Sequence, residues 1–246
     1  MKILVCISKA PDTTSKIGFT DGNTKFDETG VQFIVNPYDE WYALVRGLEL
    51  KESIGGSVTT ITVGTAADDA TIRKALAIGA DDAVRIDAEP VDAFQVAAEI
   101  ANYAKDKGFD LILTGKETIN YNGSQIGGMI AEHLDLPFVS LATKLDVDGS
   151  TAKLEKEIVG GTQEVEVSLP TVVSASKGMA EQRIPNMRGI MAARTKPLNV
   201  VASSQPAAQT SFVAYDLPAP KSAVKMIDPS NMDELVELLH NEAKVI

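Results

Sequence analysis

Four short apolar runs alternate with helix-patterned segments over the first 135 residues, and this alternation leaves few folds open. KILVCIS (2–8), SVTTITVG (57–64), DAVRID (82–87) and DLILTG (110–115) read as buried strands. Between them lie NPYDEWYALVRGLELKES (36–53), ADDATIRKALAIGA (67–80) and VDAFQVAAEIANYAKDKG (91–108), and SQIGGMIAEHL follows the fourth strand. Asn36 is the expected N-cap of the first helix, with Pro37 at its first helical position and acids in its first turn. Gly79 and Gly108 are the expected stops of the next two. Strands separated by helices of this length predict a parallel sheet covered on both faces.

After Pro137 the texture changes. FVSLATKLDVDG, TAKLEKEIVGG, TQEVEVSL and PTVVSAS read as short strands, with hairpin signals at Asp148-Gly149 and Gly160-Gly161. TQEVEV alternates polar and apolar residues, which predicts a hairpin with one wet face. From Val200 to Ser230 the chain is rich in Ala, Ser and Pro and has no period, so an extended arm is expected. Such an arm either wraps its own body or embraces a partner. A last helix follows in NMDELVELLHNEAKVI, with a stripe of Met232, Leu235, Val236 and Leu239. The expected fold is therefore α/β: a Rossmann-like parallel sheet with helices on both faces, an added β-hairpin region, and a C-terminal arm ending in a helix. The expected division is 1–198 for the main domain and 199–246 for the arm.

The segment LILTGKETINYNGSQIGGMIAEHL joins strand to helix through a loop of Gly, Thr, Asn and Ser. In an open parallel sheet, ligands bind beyond the carboxyl ends of the strands. The helix is expected to begin near Gly123-Ser124, where free N–H groups and the helix dipole favour an anion such as phosphate. A loop of this composition can also be no more than a capping turn. Lys116 can meet a phosphate or stay solvated. Cys6, the NPYD turn and VGTA (63–66) lie at the same edge, which makes an adenine-nucleotide pocket the expected use of these loops. Walker A and GxGxxG patterns are absent, which disfavours a P-loop NTPase or common dinucleotide fold. No Ser–His–Asp set or close acid pair assembles, so no hydrolytic equipment is evident.

Charge and cysteine content narrow the partners. The net charge of −11 opposes general binding to nucleic acid or acidic membranes. No apolar run approaches the roughly 20 residues of a membrane span, and MKILVCISKAPD lacks the pattern of a signal peptide. A single cysteine allows no internal disulfide and fits a cytoplasmic location; with His133 and His240 far apart, a Cys/His metal site is not expected. Cys6 itself reads as a small buried strand residue, His133 as a helix-end residue, and Trp41 and Tyr42 as packing on the first helix. One exception to the acidity is KGMAEQRIPNMRGIMAARTK (177–196), with five cations against the single acid Glu181. Such a basic island suggests a specific contact.

The blocks NPYDEWYAL, ATIRKALAIGAD, DLILTGKETINYNGSQIGGMIAEHL, LATKL, LPTVVSAS and RIPNMRGIMAARTKPL occur in the order found in the beta subunit of electron transfer flavoprotein. On these blocks the chain resembles that family from about Met1 to Leu198. The arm and last helix match by length and character only. The resemblance implies a carrier subunit without catalytic turnover of its own, one half of an alpha/beta heterodimer. Electrons would pass from acyl-CoA or other flavin dehydrogenases to a quinone oxidoreductase or similar acceptor. It implies FAD held mainly by the alpha subunit and a structural AMP in this chain; in bifurcating members a second FAD replaces the AMP. A stand-alone adenine-nucleotide-binding protein is the alternative from another class.

By the same resemblance, the nucleotide is lined by Cys6, Asn36, Pro37, Tyr38, Asp39 and Val63. The loop Gly115, Lys116, Glu117, Thr118, Ile119, Asn120, Tyr121, Asn122, Gly123, Ser124, Gln125 and Ile126 completes the lining. Tyr38 corresponds to an aromatic near the flavin. Partner docking maps to Met187 as an apolar anchor, with Arg183, Arg188, Met191 and Arg194 around it. The chain departs from the family pattern in two places. Asn120-Tyr121-Asn122 stands where Asp-x-Asp is common, and Met187-Arg188-Gly189-Ile190-Met191 replaces Leu-Pro-Asn-Ile-Met, with Ala192 where a lysine is often found.

Overall fold

Residues of the first strand, β1 (Lys2–Cys6), point alternately to two sides, and both sides are apolar. Ile3 and Val5 join Leu44 and Leu48 of α1 (Asp39–Ile54) and Ile72 and Leu76 of α2 (Asp69–Ile78) in one core cluster. Leu4 and Cys6 join Ala97 and Ile100 of α3 (Ala93–Ala104) and Ile130 and Ala131 of α4 (Ile126–Leu134) in the other. A strand buried on both faces belongs at the centre of a parallel sheet. Each fully buried Leu or Ile contributes about 1.5–3 kcal/mol, so the two clusters supply the main drive for folding. This is a computed structural model, which describes residues 1–117, 122–221 and 223–246.

Between β1 and α1 the chain makes two small antiparallel pairs that the sequence pattern does not announce. These are β2 (Lys9–Pro11) with β5 (Phe33–Val35), and β3 (Phe19–Thr20) with β4 (Lys25–Phe26). The main sheet continues with β6 (Ser57–Gly64), β7 (Asp82–Asp87), β8 (Leu111–Gly115), β9 (Phe138–Asp148), β10 (Thr151–Ile158), β11 (Gly161–Ser168), β12 (Thr171–Ala175) and β13 (Leu198–Ala202). Among the described residues its order is β11-β10-β9-β12-β8-β1-β6-β7-β13. From β9 to β13 every neighbouring pair is parallel. The fold is the expected α/β arrangement, with α1 and α2 on one face and α3 and α4 on the other.

The hairpin strands extend this sheet. β9 pairs with β12 through Phe138–Ala142 and with β10 through Ala142–Asp148. Leu141, at φ 59°, marks the irregularity where the strand changes partners. The two hairpin turns fall at Gly149-Ser150 and Val159-Gly160. β13 lies parallel on β7, with Leu198 opposite Ala83 and Ala202 opposite Asp87. The compositional junction at 198/199 thus falls inside a sheet strand, and the arm leaves the sheet after Ala202.

Three helix ends differ from expectation. Asn36 does not cap α1. Its Oδ1 accepts from the Tyr38 N–H at 3.2 Å and its Nδ2 donates to the Glu117 carbonyl at 3.2 Å, while the helix starts at Asp39. A residue before proline is pushed out of helical geometry, so Asn36-Pro37 forms the approach to the helix. α3 ends at Ala104, and Asp106 and Gly108 (φ 61° and 65°) make the turn after it. α4 begins at Ile126, because Asn122 and Ser124 hold φ values of 46° and 53°. The last helix is split into α6 (Met232–Glu237) and one π turn, Leu238–Glu242, and none of its stripe residues is buried.

Candidate functional site

From β1 the chain runs to β6 and β7 on one side, then returns to place β8 on the other. The carboxyl ends of β1, β6 and β8 therefore flank a topological switch point, the usual ligand crevice of such sheets. A cleft of about 420 Å³ opens there. That lies within the roughly 300–1,000 Å³ of small-molecule sites. Its floor is Cys6–Lys9, Ile61–Val63 and Thr114–Gly115, and its walls are Glu40, Lys116, Glu117 and Gly123–Ile126. Pro90–Ala93, Val96 and Ile100 close one side, and Thr210–Phe212 of the arm close the mouth.

Two glycines bring this edge together. A Cβ on Gly115 would sit 2.8 Å from Glu40 Cγ and 2.9 Å from Glu40 N, so only glycine lets β8 end against the start of α1. A Cβ on Gly64 would meet Asp68 Oδ2 at 2.2 Å. That carboxylate accepts from the Thr65 N–H at 2.8 Å in a capping box that starts the turn into α2. Its other oxygen lies 3.1 Å from Lys9 Nζ.

The electrostatics are set by burial. Burial raises the Glu40 carboxyl to about 8; the Ser8 N–H and hydroxyl oppose that shift, and the Asp39 charge adds to it. Ser8 N donates to Glu40 Oε2 at 2.8 Å, and Ser8 Oγ donates to Oε1 at 2.8 Å. Burial also raises Asp39, against an N–H from Glu117 at 3.3 Å and the charge of Lys116. Burial and the nearby Glu40 push the Cys6 thiol well up, so it is an inert wall of the cleft. Burial works to lower Lys9, yet the Asp68 carboxylate outweighs it and the ammonium is held charged. Lys116 is likewise raised by its bond to Glu117. Thr114 Oγ1 is buried and has no hydrogen-bond partner among the described residues. A buried hydroxyl left unpaired costs free energy that a ligand atom can recover.

Cys6, Val63, Gly115, Lys116, Glu117, Gly123, Ser124, Gln125 and Ile126 all line this cleft. Asn36, Tyr38, Asp39 and Asn122 line an adjoining hollow of about 230 Å³, with Tyr42, Lys116, Glu117 and Lys177. Tyr38 is about half exposed there. Pro37 lines neither; its carbonyl accepts from Gln182 Nε2. Thr118, Ile119, Asn120 and Tyr121 lie outside the described residues. Sequence reasoning missed Ser8, Lys9, Glu40, Asp68, Thr114 and the arm residues. Only Asp68 carried a usable signal, the Thr65-x-x-Asp68 box.

The basic island forms α5 (Met187–Ala193), capped by Asn186 Oδ1 on the Gly189 N–H at 2.9 Å. α5 packs on the C-terminal end of α2, where a Cβ on Gly189 would strike the Ala77 carbonyl at 2.4 Å. Arg73 Nη1 donates to the carbonyls of Ala193 (2.8 Å) and Lys196 (2.6 Å), and Lys196 Nζ donates to those of Leu76 and Ala80. The two segments therefore cap each other's C-terminal ends. Arg183 makes a forked pair with Glu52 at 2.6 and 2.9 Å, so it braces the segment against α1. Arg188 and Arg194 are exposed and make no ion pair among the described residues. Met187 is 73% and Met191 66% exposed, and Ile184 and Ile190 are exposed beside them. No described helix is long and apolar enough to cross a membrane.

The electron transfer flavoprotein domain matches residues 23–206. The electron transfer flavoprotein subunit beta of Bacillus subtilis is 36% identical, with all of both chains covered. That of Syntrophomonas wolfei is 36% identical over 100% of this chain and 98% of its own. The human subunit beta is 31% identical over 93% of this chain and 89% of its own. On a domain match over most of the chain and full-length similarity to subunits beta, the chain belongs to the electron transfer flavoprotein family, among its beta subunits.

Proposed function

We propose that this chain is the non-catalytic half of a heterodimeric electron carrier, holding a structural AMP in the switch-point cleft and covering part of an FAD carried mainly by the alpha subunit. The observation that carries the nucleotide assignment is the cleft itself: an apolar lining of Ile61, Val63, Val96 and Ile100, the unpaired Thr114 hydroxyl, and the start of α4 at one end. The apolar lining suits a base. The N–H groups preceding α4, with Lys116 nearby, suit a phosphate. The cleft's size suits a mononucleotide better than a whole FAD.

When bound, FAD supplies the redox chemistry, and the protein supplies position, water exclusion and docking. Tyr38, over the hollow beside the cleft, is the residue of this chain best placed to cover a flavin edge. Met187 and Met191 are flexible apolar anchors that suit more than one dehydrogenase or quinone oxidoreductase. Arg188 and Arg194 beside them steer an acidic partner and leave the complex quick to release. The unburied apolar residues beyond Asp216, among them Leu217, Met226 and Val236, are the natural contact for the alpha subunit. On this reading the unit 1–198 binds nucleotide and partners, and the distal part of 199–246 joins the two subunits.

The test is co-expression with the alpha subunit, denaturation of the purified complex, and mass analysis of what is released. One AMP and one FAD per heterodimer is the expected result. Two FAD would replace AMP by a second flavin, the bifurcating arrangement. No flavin and no partner would reduce the chain to a nucleotide-binding module.

A further inference from the structure

The chain beyond the sheet does more than reach outward. After Ala202 it turns back along α3. Glu99, buried at 2% exposure, accepts from Ser204 N at 2.9 Å and Ser204 Oγ at 2.8 Å, and from Ser203 Oγ. Asn102 Nδ2 adds a bond to Ser204 Oγ at 3.0 Å. Two helical turns earlier, on the same face, Asp92 has two separate tasks. Its Oδ1 caps α3 through the Gln95 N–H at 2.8 Å. Its Oδ2 takes the Gln209 N–H at 2.6 Å, the Thr210 N–H at 2.7 Å and Thr210 Oγ1 at 3.1 Å. Beyond the cleft mouth, Phe212 stacks on Tyr215 at 5.2 Å and Tyr215 on Phe19 at 4.8 Å, while Tyr215 N donates to the Asn23 carbonyl at 2.7 Å.

The arm is thus fastened before, at and after the point where Thr210–Phe212 line the cleft. A surface loop of Ala, Ser and Pro has no need of two carboxylates, the buried Glu99 and the half-buried Asp92, each accepting three bonds from its backbone and hydroxyls. Hydrogen bonds to ionised groups are about twice as strong as neutral ones, so this is a deliberate attachment.

We propose that residues 203–212 are a built wall of the nucleotide site, latched to α3 by Glu99 and Asp92, and that an adenine mononucleotide leaves only when this strap lifts. The inference rests on the nucleotide reading above and adds to it a gate made by the arm. The strap explains how one chain can hold a structural nucleotide through repeated partner docking. It also connects the nucleotide site to the distal arm, where the alpha subunit is expected to bind.

The experiment uses the full chain with AMP as the probe. Amide hydrogen exchange is followed for Gly115–Glu117 and Gly123–Ile126, and separately for Ser203–Phe212, with and without AMP. AMP release is timed for the parent, for Glu99→Gln, and for Ser203→Ala/Ser204→Ala, which removes the two hydroxyl donors, leaves the Ser204 N–H in place and changes no residue of α3. The expected result is protection of both segments by AMP and release faster by roughly tenfold in either variant, the loss of charge-assisted bonds being of that order. Protection of the strand-end loops alone, with release unchanged in both variants, would overturn the strap and leave the nucleotide site standing. Protection of neither segment would overturn the nucleotide reading and this inference with it.

Discussion

Replacing Glu40 by Gln should stabilise the ligand-free chain at neutral pH and flatten its stability profile. Glu40 is 5% exposed beneath the cleft, and its carboxyl is raised from 4.5 to about 8. Between those values the folded state keeps a proton that the unfolded chain releases. The stability tied to that proton is fully present below 4.5 and is lost as pH rises toward 8. The slope is about 1.4 kcal/mol per pH unit, so this group alone lowers stability by about 3 kcal/mol between its ordinary value and pH 7. Gln has the same shape, and its amide can still accept from the Ser8 N–H and donate to Ser8 Oγ. The variant should therefore gain most at pH 8 and least at pH 5. Urea denaturation at four pH values, read by the single Trp41 one residue away and only 8% exposed, measures the difference. A gap between the two proteins that is constant from pH 5 to 8 would refute the reasoning. Asp92 and Glu99 do not confuse the window. Burial works to raise both, but their hydrogen bonds prevail and hold them below the ordinary range, so their stability is lost only on acidification through those lowered values.

Two further outcomes concern the docking helix. Gly189→Ala places a Cβ against the Ala77 carbonyl, so it should push α5 off α2 and cost about 1–3 kcal/mol in thermal unfolding, the usual range for overpacking. Met187→Ala should change stability by less than about 0.5 kcal/mol because the side chain is mostly in solvent, yet weaken binding to a partner dehydrogenase measured by calorimetry.

The elements were legible in the sequence because their signals are local. β6 and β7 fall at the expected residues 57–64 and 82–87, since a run of β-branched residues bounded by turns carries its own register. Helix ends were less legible. Asn36 looks like a cap, but its side chain is drawn across to Glu117, 81 positions away. No pattern within a helical turn can reveal that. Within the candidate site, residues beside the strand ends were found because chain direction places them there. Tyr38 and Asn122 line the neighbouring hollow instead.

By itself the sequence determined the alternation of strands and helices, the two-faced burial of β1, the hairpin turns and the family blocks. All of these depend on residues a few positions apart, where periodicity and turn chemistry act. The tertiary structure decided which charges matter. Glu40 and Trp41 are neighbours on one helix, yet only packing against Gly115 and Ser8 makes the first a buried acid. Arg183 maps to the docking set and Lys196 belongs to the basic island, and the fold pairs the first with Glu52 and the second with the end of α2. Asp92 caps α3 through one oxygen, and only the returning arm, 118 residues later, gives its second oxygen a role. Contacts at such separation arise when the whole core closes, because the entropy of bringing distant segments together is recovered only by the complete set of packed interactions.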